Sequence, residues 1–140
     1  MNAPIFWGII PALIAIALFF YKQRTQKMIL FIIVNLFFAL VPFIVMIDPI
    51  VEPSFFQIEM SSTFIVLGRN FILNQTDLFL IQLIYFFNAL WGAAALVFNK
   101  NARMIPFGML FTSLLIAAYS VTPFMYSALM FFFLMSVVIS

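Results

Sequence analysis

The sequence predicts an all-α, polytopic membrane protein of about five transmembrane helices. Its N-terminus lies outside, and a short β-hairpin or extended outer loop joins helices 2 and 3. Three observations lead there. The 140 residues are 67% hydrophobic and only 7% charged, with a mean hydropathy of +1.26, far from the roughly 25% charged residues of soluble domains. Apolar runs near the length that crosses a hydrocarbon core of about 30 Å recur along the chain. The charges sort by connector and so assign a side to each end.

The first run, 5–21, carries Pro11 near its middle. A membrane helix tolerates such a proline when neighbours satisfy the backbone carbonyl it frees. No basic region precedes this run and no small-residue cleavage site follows it, so a retained helix is expected rather than a signal peptide. Lys22, Arg24 and Lys27 form a polar connector short enough to make the next helix an antiparallel neighbour. The second run, 28–47, contains Pro42 and Asn35, an amide suited to an interhelix hydrogen bond.

Asp48, Pro49, Glu52 and Pro53 close that run and open the long loop, 48–77. Within it, Phe55 to Met60 and Thr63 to Leu73 are rich in β-branched and aromatic residues, punctuated by Gly68-Arg69-Asn70, which reads as a hairpin or extended segment. Asn74 or Thr76 is placed to cap the next helix, with Asp77 at the positive end of its dipole. The same Asn74-Gln75-Thr76 fits a glycosylation sequon, but capping is the simpler use so close to a helix.

The third run, 78–98, sets Gln82, Tyr85, Ala89, Gly92, Ala93 and Leu96 on one helical face, a packing surface on which small residues let helices approach. A basic connector, Asn99 to Arg103, leads to a fourth run, 105–120, then to a tight turn at Val121-Thr122-Pro123 and a last run, 125–140, short for a span. Lys22, Arg24, Lys27, Lys100 and Arg103 all fall in the first and third connectors, whereas Asp48, Glu52, Glu59 and Asp77 fall in the second. Basic connectors face the cytoplasm. Arg69 is then the lone basic residue of the outer face.

No ionisable residue falls inside an expected span, although that is where membrane ion paths place them. Gln82, Tyr85 and Asn88, at i, i+3 and i+6, either line a wet path or satisfy one another and the backbone of a bundle. With no cysteine and no histidine, the chain offers no disulfide, thiolate cluster or imidazole ligand. No phosphate loop, carboxylate pair or nucleophile with a base is present, so no catalytic residue and no cofactor are expected. Six dispersed basic residues do not suit nucleic acid, and scattered methionines fill gaps in apolar packing.

Val66-Leu67-Gly68-Arg69-Asn70-Phe71-Ile72-Leu73, Thr76-Asp77-Leu78, Leu83-Ile84-Tyr85 and Ala89-Leu90-Trp91 resemble the N-terminal region of antiporter-like (Mrp-type) proton-conducting membrane subunits of complex I (NADH:quinone oxidoreductase) and related complexes. Val121 to Leu129 resembles the turn between the fourth and fifth helices there. The outer-loop motif of the resemblance is Gly68, Arg69 and Asp77. That family carries a glutamate on its fifth helix and a lysine on its seventh, and the matching stretch here, Leu129 to Ser136, has no acid.

The resemblance therefore implies a non-catalytic subunit, or the split N-terminal part of one, packed on the ion-conducting core of a proton-translocating respiratory oxidoreductase. Its partners would be lipid and other membrane subunits, among them the chain carrying the remaining antiporter-like helices. Its place would be a bacterial cytoplasmic membrane or an organelle inner membrane. The alternative is a free-standing, oligomeric membrane scaffold or transport protein.

Overall fold

The structure is a computed structural model and describes residues 2–49, 57–98, 105–122, 132 and 135. It is mostly helical, with two small sheets. A π-helical turn, Ile5–Ile9, runs into α1, Ile10–Phe20. Helix α2 spans Arg24–Leu40 and tightens into a 3-10 turn, Val41–Phe43. After the loop come α3, Leu78–Val97, and α4, Ile105–Ser120. Helix α2 packs along α3 and α1 along α4, with α3 also touching α4.

The irregular start of the first helix follows from Pro11. Proline has no N–H to give to the carbonyl four residues back, here that of Trp7, and its ring crowds that carbonyl. The chain relieves this by widening: the Ile10 N–H reaches back five residues to the Ile5 carbonyl. Helix α2 ends for a related reason. Pro42 cannot continue the ladder, so the second helix stops well short of the expected Ile47, and Val45–Ile47 is instead a strand, β1. At its other end α2 begins four residues before the expected Met28, bringing Lys27 into the helix, where the side chain is buried and donates to the Phe19 carbonyl at 3.4 Å. A cation there suits the negative end of α1.

One end of the bundle is closed by β-structure. Strand β1 pairs in parallel with β2, Ile58–Met60. A hairpin of β3, Thr63–Val66, and β4, Arg69–Ile72, is extended by β5, Val121–Thr122. The all-α expectation is corrected to this extent, and the tight turn expected at Val121-Thr122 is a strand paired with β4. Leu67 and Gly68, both at positive φ (49° and 71°), form the two-residue hairpin turn, as such short hairpin connections require. The Ala3 N–H donates to the Ser61 carbonyl at 2.9 Å, so the chain's N-terminal end is sewn to the same cap.

Of the five expected spans, two are long and apolar enough to cross a membrane: Arg24–Phe43, 20 residues, and Gln75–Val97, 23 residues. Ile5–Phe20 and Ile105–Ser120 are shorter apolar helices. The expected fifth span, 125–140, lies outside the described residues save for helical Phe132 and Met135, so five spans are not supported. The second basic connector and Glu52 also lie outside them.

Aromatic rings fill the centre. Phe38 stacks on Tyr85 with centroids 5.3 Å apart and planes 28° apart, while Phe6 sits edge-on to Trp7 at 5.1 Å and tilted on Phe38 at 5.2 Å. Phe6 near Phe38 and Phe19 near Lys27 make α1 and α2 antiparallel.

Candidate functional site

Inside the bundle, polar groups are few and occur where helices cross. Asn35, on α2, is fully buried; its Nδ2 donates to the Phe31 carbonyl one turn back at 2.8 Å, and its Oδ1 accepts from Asn88 Nδ2 at 2.7 Å. Asn88 reaches it from α3. Gly108, on α4, closes the group: a Cβ there would lie 2.8 Å from Asn88 Oδ1 and 2.5 Å from Trp91 Cζ3. Three helices thus meet at one pair of amides. A buried amide left without partners costs several kcal/mol in hydrocarbon, so the pair sets which faces of α2 and α3 oppose each other.

One turn nearer the β-cap lies a second polar contact. Tyr85 is buried on α3, and its hydroxyl donates to the Trp7 carbonyl at 2.5 Å. This is the carbonyl that Pro11 strips of its helical donor. Trp7 Nε1 is buried and meets no acceptor among the described residues. Gln82 is half-buried one turn before Tyr85. Of the three expected face residues, the structure therefore directs Tyr85 to the π-helical turn before α1 and Asn88 to α2, and brings Asn35 and Asn88 together.

The buried stripe of α3 runs through Leu78, Ile81, Tyr85, Asn88, Ala89, Gly92 and Ala95. It is rotated slightly from the expected face, so that Ala93 is half-buried and Leu96 exposed. Gly92 lies at a close approach to α2, since a Cβ there would stand 2.7 Å from Phe31 Cδ1.

The outer-loop residues take structural positions in the cap. Gly68 supplies half of the turn and Arg69 opens β4. Asn74 caps the turn Gln75–Asp77 through a capping box: the Asn74 N–H donates to Asp77 Oδ2 at 2.8 Å and the Asn74 side chain takes the N–H of Asp77. The other carboxylate oxygen, Asp77 Oδ1, accepts from the Tyr119 hydroxyl of α4 at 2.8 Å. Gln75 Oε1 accepts from the Ile47 N–H at 2.8 Å, and the Asp48 carboxylate accepts from the Ser62 N–H at 3.2 Å. Asp77 thereby ties the start of α3 to the end of α4, Gln75 ties it to β1, and Asp48 ties the end of β1 to the segment between β2 and β3.

Chemically, the buried polar groups among the described residues include the amides of Asn35 and Asn88, the Tyr85 phenol, the hydroxyls of Thr112, Ser113 and Ser120, and Lys27 at the end of α1. Among the described residues no group of three metal-ligating side chains occurs. The signal for the Trp7 contact was present in the spacing of Pro11, but its donor lies 78 positions away and has no local mark. No family model, curated protein or solved structure matches the chain.

Proposed function

We propose that this chain is an integral membrane packing subunit, its helices spanning the bilayer as a polytopic bundle, its β-cap outside and its basic connectors inside. The observation that carries this reading is an apolar helix surface laid over a core whose few polar groups are hydrogen-bonded between helices. Leu13, Ile33, Phe37, Leu40, Phe79 and Phe87 are exposed around the helices, while the interior holds the hydrogen-bonded amides. Helices apolar all round suit a lipid or protein surround rather than water. Exposed Lys22 and Arg24 lie at the end opposite exposed Asp48 and Glu59, which supports the orientation through the positive-inside bias.

Within that class, the resemblance of the 66–91 region supports a subunit of a complex I-like proton-translocating oxidoreductase. In this reading the chain packs against the ion-conducting core as the N-terminal part of an antiporter-like unit. Its interior supplies packing, and the titrating groups of the ion path belong to other helices, whether or not these are continuous with this chain.

The test is purification from membranes in mild detergent through a tag on this chain, followed by mass spectrometry of the intact assembly. Co-isolation with oxidoreductase subunits, including helices that bear intramembrane Glu and Lys, is expected. Recovery as a homo-oligomer alone would replace the proposal with the free-standing scaffold or transporter.

A further inference from the structure

At the end of the bundle opposite the β-cap the fold draws a charge inward. Lys27 stands at the start of α2, where the dipole of its own helix disfavours a cation, and is only 7% exposed. Its ammonium donates to the Phe19 carbonyl in the last turn of α1 at 3.4 Å, a long contact with a neutral oxygen. An ammonium has three N–H donors, and a buried charge is costly unless an opposite charge meets it. The end of α1 supplies only the partial negative charge of a helix terminus.

The acidic side chains of the chain are Asp48, Glu52, Glu59 and Asp77. Asp48 follows β1, Glu59 lies in β2 and Asp77 closes the turn before α3, all in the cap. Glu52 falls between Asp48 and Glu59 in sequence. From Lys27 to Leu40, its end on the cap side, α2 rises about 20 Å, against the roughly 4 Å of an ion pair. No acidic side chain among the described residues reaches Lys27.

The surroundings indicate which anion is at hand. Phe20 is 81% exposed, and Tyr21 and Lys22 after it are exposed too, on the connector that leaves α1 beside Lys27. Exposed aromatic residues followed by a lysine suit the level of lipid headgroups, where the abundant anion is phosphate. Phe107, in the first turn of α4, sits edge-on to Phe19 with centroids 4.8 Å apart, so the start of a further helix comes to the same place.

We infer that Lys27 binds the phosphate of an inner-leaflet phospholipid, with Lys22 at the rim of the site and the acyl chains lying along the exposed apolar faces of α1 and α2. The lipid supplies the counter-charge that the bundle lacks at this end and holds the α1–α2 connector at the headgroup level. The site rests on the membrane reading proposed for the chain.

The experiment uses the full chain, delipidated in mild detergent and titrated with phosphatidylglycerol, with lipid retention read by native mass spectrometry and stability by thermal unfolding. One retained lipid per chain and a higher Tm are expected for the parent. Lys27→Gln should weaken retention about tenfold and lose most of the lipid-dependent rise in Tm. Without lipid the same variant should be at least as stable as the parent, because the buried charge is gone. That last comparison also shows that the variant folds.

Diacylglycerol, with the chains but no phosphate, should leave the parent's Tm unchanged. An equal rise in Tm with phosphatidylglycerol in parent and variant would overturn the role of Lys27. A lipid-free variant less stable than the lipid-free parent would also overturn it, by showing that the carbonyls of α1 suffice for the ammonium. The full effect from inorganic phosphate alone would overturn the lipid as the source of the anion. Carbonate extraction separates the two levels of failure: a chain that stays in the membrane pellet but shows no lipid effect loses only this site, whereas a chain released to the supernatant loses the membrane reading as well.

Discussion

The Tyr85 hydroxyl donates to the carbonyl oxygen of Trp7 across 78 positions of sequence, and Pro11 is the reason that oxygen is free. A proline that would leave a buried backbone acceptor unsatisfied is thereby built into the contact between the π-helical turn and α3. Tyr85→Phe should destabilise the bundle by about 1–3 kcal/mol, the cost of a buried group left without its partner. In a Pro11→Ala background, where residue 11 regains an N–H, the same substitution should cost less. Reversible unfolding of all four variants in detergent measures the coupling; strictly additive effects would show that the phenol and the proline act independently.

The Asn35–Asn88 pair predicts a second coupling. Asn35→Leu or Asn88→Leu alone strands one buried amide, while the double change removes both. The coupling between them should be about 0.6–2 kcal/mol, the range of interhelical hydrogen bonds in membrane proteins. It is read from the same unfolding cycle.

Gly92 allows the approach of α3 to α2. Gly92→Ala puts a Cβ 2.7 Å from Phe31 Cδ1, and should cost about 1–3 kcal/mol through overpacking despite the better helix propensity of alanine. Phe31→Leu in the same chain should restore part of the stability. A neutral or stabilising Gly92→Ala would mean that the two helices sit further apart than described.

Leu67 is 96% exposed at φ 49° in the hairpin turn. A leucine in the left-handed region is strained by about 1–2 kcal/mol, whereas Asn-Gly is the favoured pair for this turn. Leu67→Asn should therefore stabilise the hairpin, by about 1 kcal/mol, and the solvent-facing side chain it replaces plays no part in the core. Slower amide exchange at Val66 and Arg69 is the measurement; faster exchange would count against the turn geometry.

Orientation is open to a direct check, because the chain has no cysteine. A single cysteine at Leu67→Cys should react with a membrane-impermeant maleimide from outside intact cells or vesicles. One at Lys22→Cys should react only after permeabilisation. The reverse pattern would invert the proposed topology.

What the sequence by itself determined is what depends on near neighbours. Helix content, the limits of the third and fourth apolar helices, the strands around Gly68, the capping role of Asn74 and Asp77, and the segregation of charge follow from composition and spacings of a few residues. Pro42 and Pro11 show where that reasoning stopped. Both were visible, but the second run was carried to Ile47, when the lost N–H at Pro42 turns the chain out of helix so that Val45 can pair with Ile58.

The tertiary structure alone decided which carbonyl finds which donor: Trp7 with Tyr85, Asn35 with Asn88, Gln75 with Ile47. These partners lie on different helices or across the loop, and an apolar sequence marks its faces weakly, because the exposed residues of these helices and the core residues are alike hydrophobic. Only packing sorts them, and it does so through the few polar atoms that must be satisfied.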